Sequence, residues 1–187
     1  MKPYILIFLF IPGCWFVGKG LYIESKATLA QHLLEHAWQK VKAGEPQSKP
    51  WPWADTWPIA RLTVPRLKID LIVLAGDSGR TLAFGPGHHF SSAKLGAVGN
   101  SLISAHRDTH FNFLQYLRAG DAIFIETTQT NITRFNVSAT QVVDMDKARF
   151  INDPSSAYLH LVTCYPFNSI LAGGSQRFIV SAVAEQI

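Results

Sequence analysis

The stretch YLHLVTCYPFNSILAGGSQRFIVSAV, residues 158–183, decides the fold. It contains two segments rich in β-branched and aromatic residues, 158–164 and 176–183, separated by a loop with one proline and two glycines. Such segments predict β-strands. If they pair antiparallel, the end of the first lies beside the start of the second. Cys164 and Arg177 then meet at one end of the sheet, with side chains about 5 Å apart.

Similar segments lie upstream, and turn residues separate them. Pro65 divides the first of these segments into two short strands. One short helix is predicted at FNFLQYLRA, residues 111–119. Seven or eight short strands with little helix indicate an all-β fold, either a closed barrel or a sandwich. The upstream segments are ARLTVPRLKIDLIVLAG (60–76), NSLISAH (100–106), DAIFIET (121–127) and ITRFNVSATQVV (132–143).

Composition limits the domain count and the class of partner. The 187 residues are 48% hydrophobic and 16% charged, which suits one main domain with an appendage. The net charge of +4 comes from scattered Lys and Arg, with no run of five or more basic residues. This distribution argues against a nucleic-acid partner.

The N-terminal residues 3–23 are apolar apart from Lys19 and long enough to cross a bilayer, which takes about 20 apolar residues as a helix. A cleaved signal peptide and a lipoprotein signal ending at Cys14 are alternatives. No A-x-A-like site follows the segment, and apolar residues continue beyond Cys14. We therefore predict a transmembrane anchor over residues 1–23, with its N-terminus in the cytoplasm.

Two further segments precede the β region. Residues 24–44 are predicted to form an amphipathic juxtamembrane helix that ends near Gly44. Residues 45–60 carry four prolines and three tryptophans and are predicted to be an extended connector. The tryptophans either pack on the domain or lie at the membrane interface. The β domain then covers residues 61–187. The apolar positions of the helix are Ala30, Leu33, Leu34, Ala37 and Val41.

The two cysteines, Cys14 and Cys164, cannot meet in one molecule if the first is embedded in lipid. Cys164 is therefore predicted to be a free thiol, either a small buried hydrophobe or a nucleophile. A free thiol near pKa 8.5 is only slightly ionised at neutral pH, and a neighbouring cation increases the thiolate fraction. Arg177 is placed to supply that cation and to stabilise an oxyanion.

Acyl transfer also needs a group that moves protons, most often a histidine. His106 ends an alternating strand, and strand ends that meet at one barrel rim can form a site. His110 is expected to support the loop HRDTHF, residues 106–111. A zinc site from His106, His110 and Cys164 would need a helix between the histidines, but this segment follows a strand directly. No metal ligand is predicted.

These residues occur in motifs that resemble those of the sortases, membrane-anchored cysteine transpeptidases. HLVTC (160–164) resembles the family's Thr-Leu-x-Thr-Cys, with His160 at the first position. GNSLISAHRDTHF (99–111) resembles the histidine segment, with Ala105 where many members have glycine. QRFIVSA (176–182) matches the arginine strand. The likeness covers residues 61–184, and the connector WPWADTWP resembles the Gram-negative, proteobacterial branch.

The resemblance implies a closed eight-stranded β-barrel and a reaction without a cofactor. Cys164 would attack the carbonyl between Thr and Gly of an LPxTG-like sorting signal on a protein substrate. His106 would exchange protons with the leaving and incoming amines, and Arg177 would hold the substrate backbone. The partners implied are that substrate, an amine acceptor of unknown identity and the membrane lipid. The domain would lie on the periplasmic side of the bacterial inner membrane.

Secondary candidates surround these three residues. Thr163 has the opposite strand parity from Cys164, so its hydroxyl is expected to make a structural hydrogen bond. Asp108 could orient His106 or cap a turn. Apolar residues of the loop after Cys164 could line a peptide groove or plug the barrel end. These loop residues are Phe167, Ile170 and Leu171.

Two other functions are considered. An L,D-transpeptidase would resemble Ser-x-Gly-Cys-x-Arg around the thiol, whereas this chain has Val-Thr-Cys-Tyr-Pro at residues 162–166. A non-catalytic, membrane-tethered β-domain that binds an envelope peptide would not need Cys164, His106 and Arg177 together.

Overall fold

A computed structural model of the chain describes residues 3–128, 131–144, 155–169 and 173–185. For residues 3–9, 11, 12 and 14 it describes the backbone and not the side chains. The described strands are β1 (Pro58–Val64), β2 (Ile69–Ala75), β3 (Gly87–His88), β4 (Gly99–Ser104), β5 (Ala122–Thr127), β6 (Ile132–Asp144), β7 (Ala157–Cys164) and β8 (Gln176–Ala184). The helices are α1 (Pro3–Lys42), α2 (Gly79–Leu82) and two short 3₁₀ helices, Pro65–Leu67 and Asn112–Tyr116.

The strands close into one barrel in the order β1-β2-β3-β4-β7-β8-β6-β5. Pairing of β1 with β5 completes the ring. Two neighbouring pairs, β2–β3 and β4–β7, are parallel, and the other pairs are antiparallel. The predicted closed eight-stranded barrel is confirmed, and so is the division of the first β segment at Pro65.

The barrel interior is filled by alternate residues of the strands, as a period of two requires. In β1, Leu62 and Val64 are fully buried, and in β7 Leu159 and Leu161 are fully buried. The loop after β4 adds Phe111 to the same core. The predicted helix at 111–119 is found as the short 3₁₀ helix Asn112–Tyr116.

Helix α1 is continuous from Pro3 to Lys42, so the predicted boundary at residue 23 falls inside one helix. Its C-terminal part packs on the barrel, where Leu34 and Trp38 are fully buried in a cluster with Ile72 and Leu74 of β2. This apolar stripe explains the helical spacing seen in the sequence.

The helix ends as predicted near Gly44. Gly44 adopts φ +97°, a left-handed conformation that glycine reaches without steric cost. The N–H of Glu45 donates to the carbonyl of Lys40 (3.0 Å), and the N–H of Gly44 donates to that of Val41 (3.1 Å). This pair of hydrogen bonds is a Schellman motif and satisfies carbonyl groups that the helix end leaves open.

In the part of the chain that the structure describes, no helix has an apolar stretch long enough to cross a membrane. The predicted anchor over residues 1–23 gains no support there. The described part of the structure does not include residues 1 and 2 or the side chains of residues 3–9, 11, 12 and 14, so the side chain of Cys14 lies outside it.

The connector packs on the barrel in part. Trp51 meets the ring of Phe84 edge-on, with ring centroids 4.7 Å apart. Trp53 is 82% exposed. The hydroxyl of Thr56 is buried and donates to the carbonyl of Ala75 at the end of β2 (2.8 Å). The three tryptophans therefore do not share one environment.

The sequence analysis missed α2 and β3, both of which are very short. Strand β3 begins at Gly87, within a segment that reads as a Gly-Pro-Gly turn. A Cβ atom at Gly87 would lie 2.1 Å from the carbonyl oxygen of Gly76. Only glycine permits this approach of two backbones, and the parallel β2–β3 pair depends on it.

Candidate active site

Strand β7 carries Cys164 to the rim of the barrel. Leu159, Leu161 and Thr163 belong to the inward face of the strand, and His160 and Cys164 to the outward face. Cys164 is half-buried and is a free cysteine, as predicted. Its thiol thus lies at the end of a strand whose other face is anchored in the core.

Arg177 lies directly opposite Cys164 across the β7–β8 ladder, and the predicted antiparallel pair is confirmed. The guanidinium Nη1 donates to the carbonyl oxygen atoms of Gly174 (2.6 Å) and Gln176 (2.9 Å). The backbone carbonyls of Gly174 and Gln176 therefore hold one edge of the guanidinium, while the register places Arg177 directly opposite Cys164.

Parallel pairing of β4 with β7 brings the third segment to this rim. The N–H of Ala105 donates to the carbonyl of Val162 (3.2 Å), and the hydroxyl of Thr163 donates to the carbonyl of Ala105 (2.7 Å). Ala105, which precedes His106, is thus hydrogen-bonded to Thr163, which precedes Cys164. Thr163 is buried, and the structural hydrogen bond predicted for it is confirmed.

His106 opens a turn that returns to the core. The N–H of Phe111 donates to the carbonyl of His106 (2.9 Å), and the ring of Phe111 is fully buried. The His106 side chain is exposed. Burial, together with the charge of His106, lowers the pKa of His110. Asp108 is exposed, and among the described contacts it makes no hydrogen bond to His106.

Comparison with known proteins then assigns the family. The model of the sortase domain family matches residues 62–185, more than half of the chain. The chain belongs to the sortase domain family. Sortase D of Bacillus subtilis (strain 168) is 29% identical over 120 residues, which are 64% of this chain and 60% of that protein. The match therefore covers less than two thirds of the relative's length.

Solved sortases have a similar fold. Sortase C-1 from Actinomyces oris has a TM-score of 0.59 at 25% identity, over 70% of this chain and 76% of its own. The sortase D5 transpeptidase of Clostridium perfringens has a TM-score of 0.67 at 22% identity, over 85% and 99%. Sortase A from Corynebacterium diphtheriae has a TM-score of 0.65 at 23% identity, over 84% and 85%. The family match identifies a sortase domain in this chain, and the solved sortases share its fold.

Arg107 of this sortase was not singled out by the sequence analysis. Although it follows the exposed His106, it is only 7% exposed, and its Nη2 donates to the carbonyl of Ser169 (2.8 Å). The histidine turn is thereby tied to the loop after the candidate nucleophile. The signal in the sequence was the position of Arg107 between His106 and Asp108. Its partner Ser169 lies too far along the chain to be identified from the sequence.

The loop after Cys164 contributes aromatic side chains to the barrel end. The ring of Phe167 packs on Phe178, with centroids 5.2 Å apart, and on Tyr165 at 6.3 Å. Phe167 also packs against the main core, so this residue helps to close the barrel end rather than to line a peptide groove. Ile170 and Leu171, the other two predicted lining residues, lie outside the described part of the structure.

His160 is a second group that the sequence analysis did not assign. It is 2% exposed, and its ring nitrogens lie 3.0 Å from Oγ of Ser181 and 2.8 Å from Oδ1 of Asn100. Burial lowers the pKa of His160 to about 4, so the ring is neutral at neutral pH. Its departure from the family's motif was the signal in the sequence.

In the described ranges, no group of three or more His, Cys, Asp and Glu side chains could hold a metal ion. The segment from His106 to His110 forms turns rather than an α-helix, so the two histidines are not presented on one helical face.

Proposed function

We propose that this sortase is a cysteine transpeptidase in which Cys164, His106 and Arg177 act together on an LPxTG-like sorting signal. The observation that carries the proposal is the direct register pair of Cys164 with Arg177, beside the bonded strand end that precedes His106. Two consecutive strands and one distant segment would thus supply a nucleophile, a cation and a proton carrier at one rim.

In the proposed reaction, the Cys164 thiolate attacks the carbonyl carbon between Thr and Gly of the signal. The C–N bond breaks, an acyl-thioester forms, and His106 gives a proton to the leaving amine. An incoming amine then attacks the thioester and loses a proton to His106, while the thiolate leaves. Where no amine is present, water releases the acid. The side chains supply every group that these steps require.

Arg177 is proposed to bind the substrate backbone and to stabilise the developing oxyanion. Its described contacts use Nη1, and a guanidinium has further N–H donors. The Gly174 carbonyl can therefore orient the group while its other edge faces the substrate. A lysine has no such planar fork, so it would replace the charge of Arg177 without its geometry.

The proposed partners are a protein with a C-terminal LPxTG-like signal and an amine acceptor whose identity is open. We further propose a single-pass anchor in the bacterial inner membrane, with the barrel on the periplasmic side. Support comes from the apolar sequence of residues 3–23 and from exposed apolar side chains on α1, which include Trp15, Phe16 and Leu21. The N-terminal helix followed by the Pro/Trp connector resembles the Gram-negative, proteobacterial branch of the family and supports placing this protein in that branch.

The proposal is tested by mass spectrometry of the purified protein incubated with a panel of LPxTG-like C-terminal peptides. The wild type is expected to form an acyl-enzyme or to cleave between Thr and Gly, and Cys164→Ala is expected to do neither. Thr56→Val removes a buried hydrogen bond on the connector side of the barrel and is the control for altered stability. A wild type that leaves the whole panel intact would contradict the proposal.

Alkylation separates this function from a non-catalytic peptide-binding domain. For the transpeptidase, iodoacetamide is expected to label Cys164 at pH 7, and a peptide that occupies the rim is expected to slow the labelling. An unreactive thiol in a folded protein would favour the binding domain.

A further inference from the structure

One polar cluster on the outer face of the barrel joins the three strands that carry the candidate active site. The ring of His160 lies between Asn100 and Ser181, with almost no solvent exposure. We refer to these three side chains as the polar bridge. Tyr158, two residues before His160 on β7, stacks on the imidazole with an angle of 10° between the rings.

The partners of the ring define its hydrogen atoms. The amide oxygen of Asn100 can only accept, so Nε2 of His160 carries the hydrogen and donates to it (2.8 Å). Nδ1 is then the acceptor in the neutral ring, and the hydroxyl of Ser181 donates to it (3.0 Å). Both ring nitrogens are used, each toward a different neighbouring strand.

The position of each member links it to one site residue. Asn100 is on β4, whose end leads to His106. His160 is on β7, four residues before Cys164 on the same face, and Ser181 is on β8, which begins next to Arg177. We propose that His160 is a positioning residue, whose polar bridge holds β4, β7 and β8 in the arrangement that aligns the three site residues.

An imidazole is suited to this task where a hydroxyl is not. Adjacent strands lie about 4.8 Å apart, so a central side chain must present polar atoms toward both sides to bridge three strands. The ring of His160 presents nitrogens on both sides and has few rotatable bonds. The threonine of the family's motif has a single, short hydroxyl. This inference rests on the proposed function, because it concerns the alignment of those three groups.

The first test is the rate of Cys164 alkylation by iodoacetamide at pH 7, which needs no peptide substrate. His160→Thr is expected to lower this rate about tenfold, because the thiol loses its alignment with the groups that activate it. His160→Gln keeps one donor and one acceptor and is expected to stay within about threefold of the wild type. Thr56→Val, which removes a buried hydrogen bond elsewhere, is expected to match the wild type.

A purely structural role gives the opposite sign. Loosening the barrel would expose the half-buried thiol and raise the alkylation rate, so an equal or faster rate in His160→Thr would overturn the proposal. If that variant does not fold, Ser181→Ala removes one bond of the polar bridge, and a decrease of about threefold is expected. An unchanged rate in Ser181→Ala would likewise overturn it.

Nitrogen-15 NMR of the labelled wild type provides a second readout. Near pH 7 the ring of His160 is expected to be protonated at Nε2 only. A ring protonated at Nδ1 alone, or at both nitrogens, would overturn the polar bridge. Neither readout depends on the sorting signal. If the alkylation and NMR results are as expected but no peptide of the panel is cleaved, the proposed substrate is therefore contradicted and the positioning role of His160 is not.

Discussion

Acidification is expected to destabilise the protein through His160. The buried ring is neutral, and its pKa falls from 6.5 to about 4 in the folded state because burial disfavours the charged form. Between these two values the unfolded chain binds a proton that the folded chain does not. The free energy of unfolding therefore decreases as the pH falls from about 6.5 to about 4, and this contribution levels off at lower pH.

The magnitude follows from the size of the pKa difference. Each unit corresponds to about 1.4 kcal/mol, so a pKa lowered from 6.5 to about 4 corresponds to a loss of about 3 kcal/mol by pH 4. The group is 2% exposed, so solvent screens little of this cost. A typical domain has only about 5–15 kcal/mol of stability, which makes a loss of this size readily measurable.

The measurement is urea unfolding of the full chain in a non-ionic detergent at several pH values between 7.5 and 4. His160→Gln is the matched variant because it keeps a donor and an acceptor but does not titrate. Other groups also titrate in this range, so the quantity compared is the difference between the two proteins. That difference is expected to change by about 3 kcal/mol in favour of the variant as the pH falls.

Parallel curves for the two proteins across this pH range would refute the reasoning. They would show that His160 has the same proton affinity in the folded and unfolded chains, and hence that it is not buried as a neutral ring. A constant offset between the curves would measure only the lost hydrogen-bond geometry and would not rescue the prediction.

Three further predictions concern the contacts that shape the site and its support. Thr163→Val removes the hydroxyl that donates to the carbonyl of Ala105, so it is expected to lower the free energy of unfolding by about 1–3 kcal/mol and to slow peptide cleavage. Equal stability of the variant and the wild type in urea unfolding would contradict this prediction. Arg107→Lys keeps the charge but loses the planar fork that reaches Ser169, so KM for a cleaved peptide is expected to rise more than kcat falls. An unchanged KM would show that the hydrogen bond between Arg107 and Ser169 does not contribute to substrate binding. Leu34→Ala is expected to lower the free energy of unfolding by about 2–5 kcal/mol, because the Leu34 side chain is fully buried against the barrel. Leu29 is 58% exposed, so Leu29→Ala is expected to lower it by less than about 0.5 kcal/mol. Similar losses in the two variants would mean that α1 does not pack on the barrel as described.

Much of the barrel was predictable because strand signals are local. A period of two, Pro65 as a breaker and Gly44 after a helical stripe are each visible within a few residues. Strand β3 was missed for the converse reason. Gly87 pairs with β2 only because two backbones approach closely, and that approach depends on residues elsewhere in the fold.

The candidate site likewise has contacts that the sequence predicts and contacts that it does not. The meeting of Cys164 and Arg177 follows from two strands that are neighbours along the chain, so loop length and parity suffice to predict it. The contact between Arg107 and Ser169 crosses from one loop to another, and no pattern in either segment indicates it. The direction of the Arg177 guanidinium likewise depends on the loop backbone that it contacts.

The sequence by itself determined where most of the strands lie, that Pro65 divides the first of them, and which residue types could perform acyl transfer. Those properties depend on side-chain alternation and on backbone preferences within short segments. Only the tertiary structure decided that β4 lies parallel to β7, and therefore that Asn100, His160 and Ser181 bridge the strands of the site. Hydrogen bonds between strands that are far apart in the chain depend on the order of the strands in the barrel, which patterns within short segments do not encode.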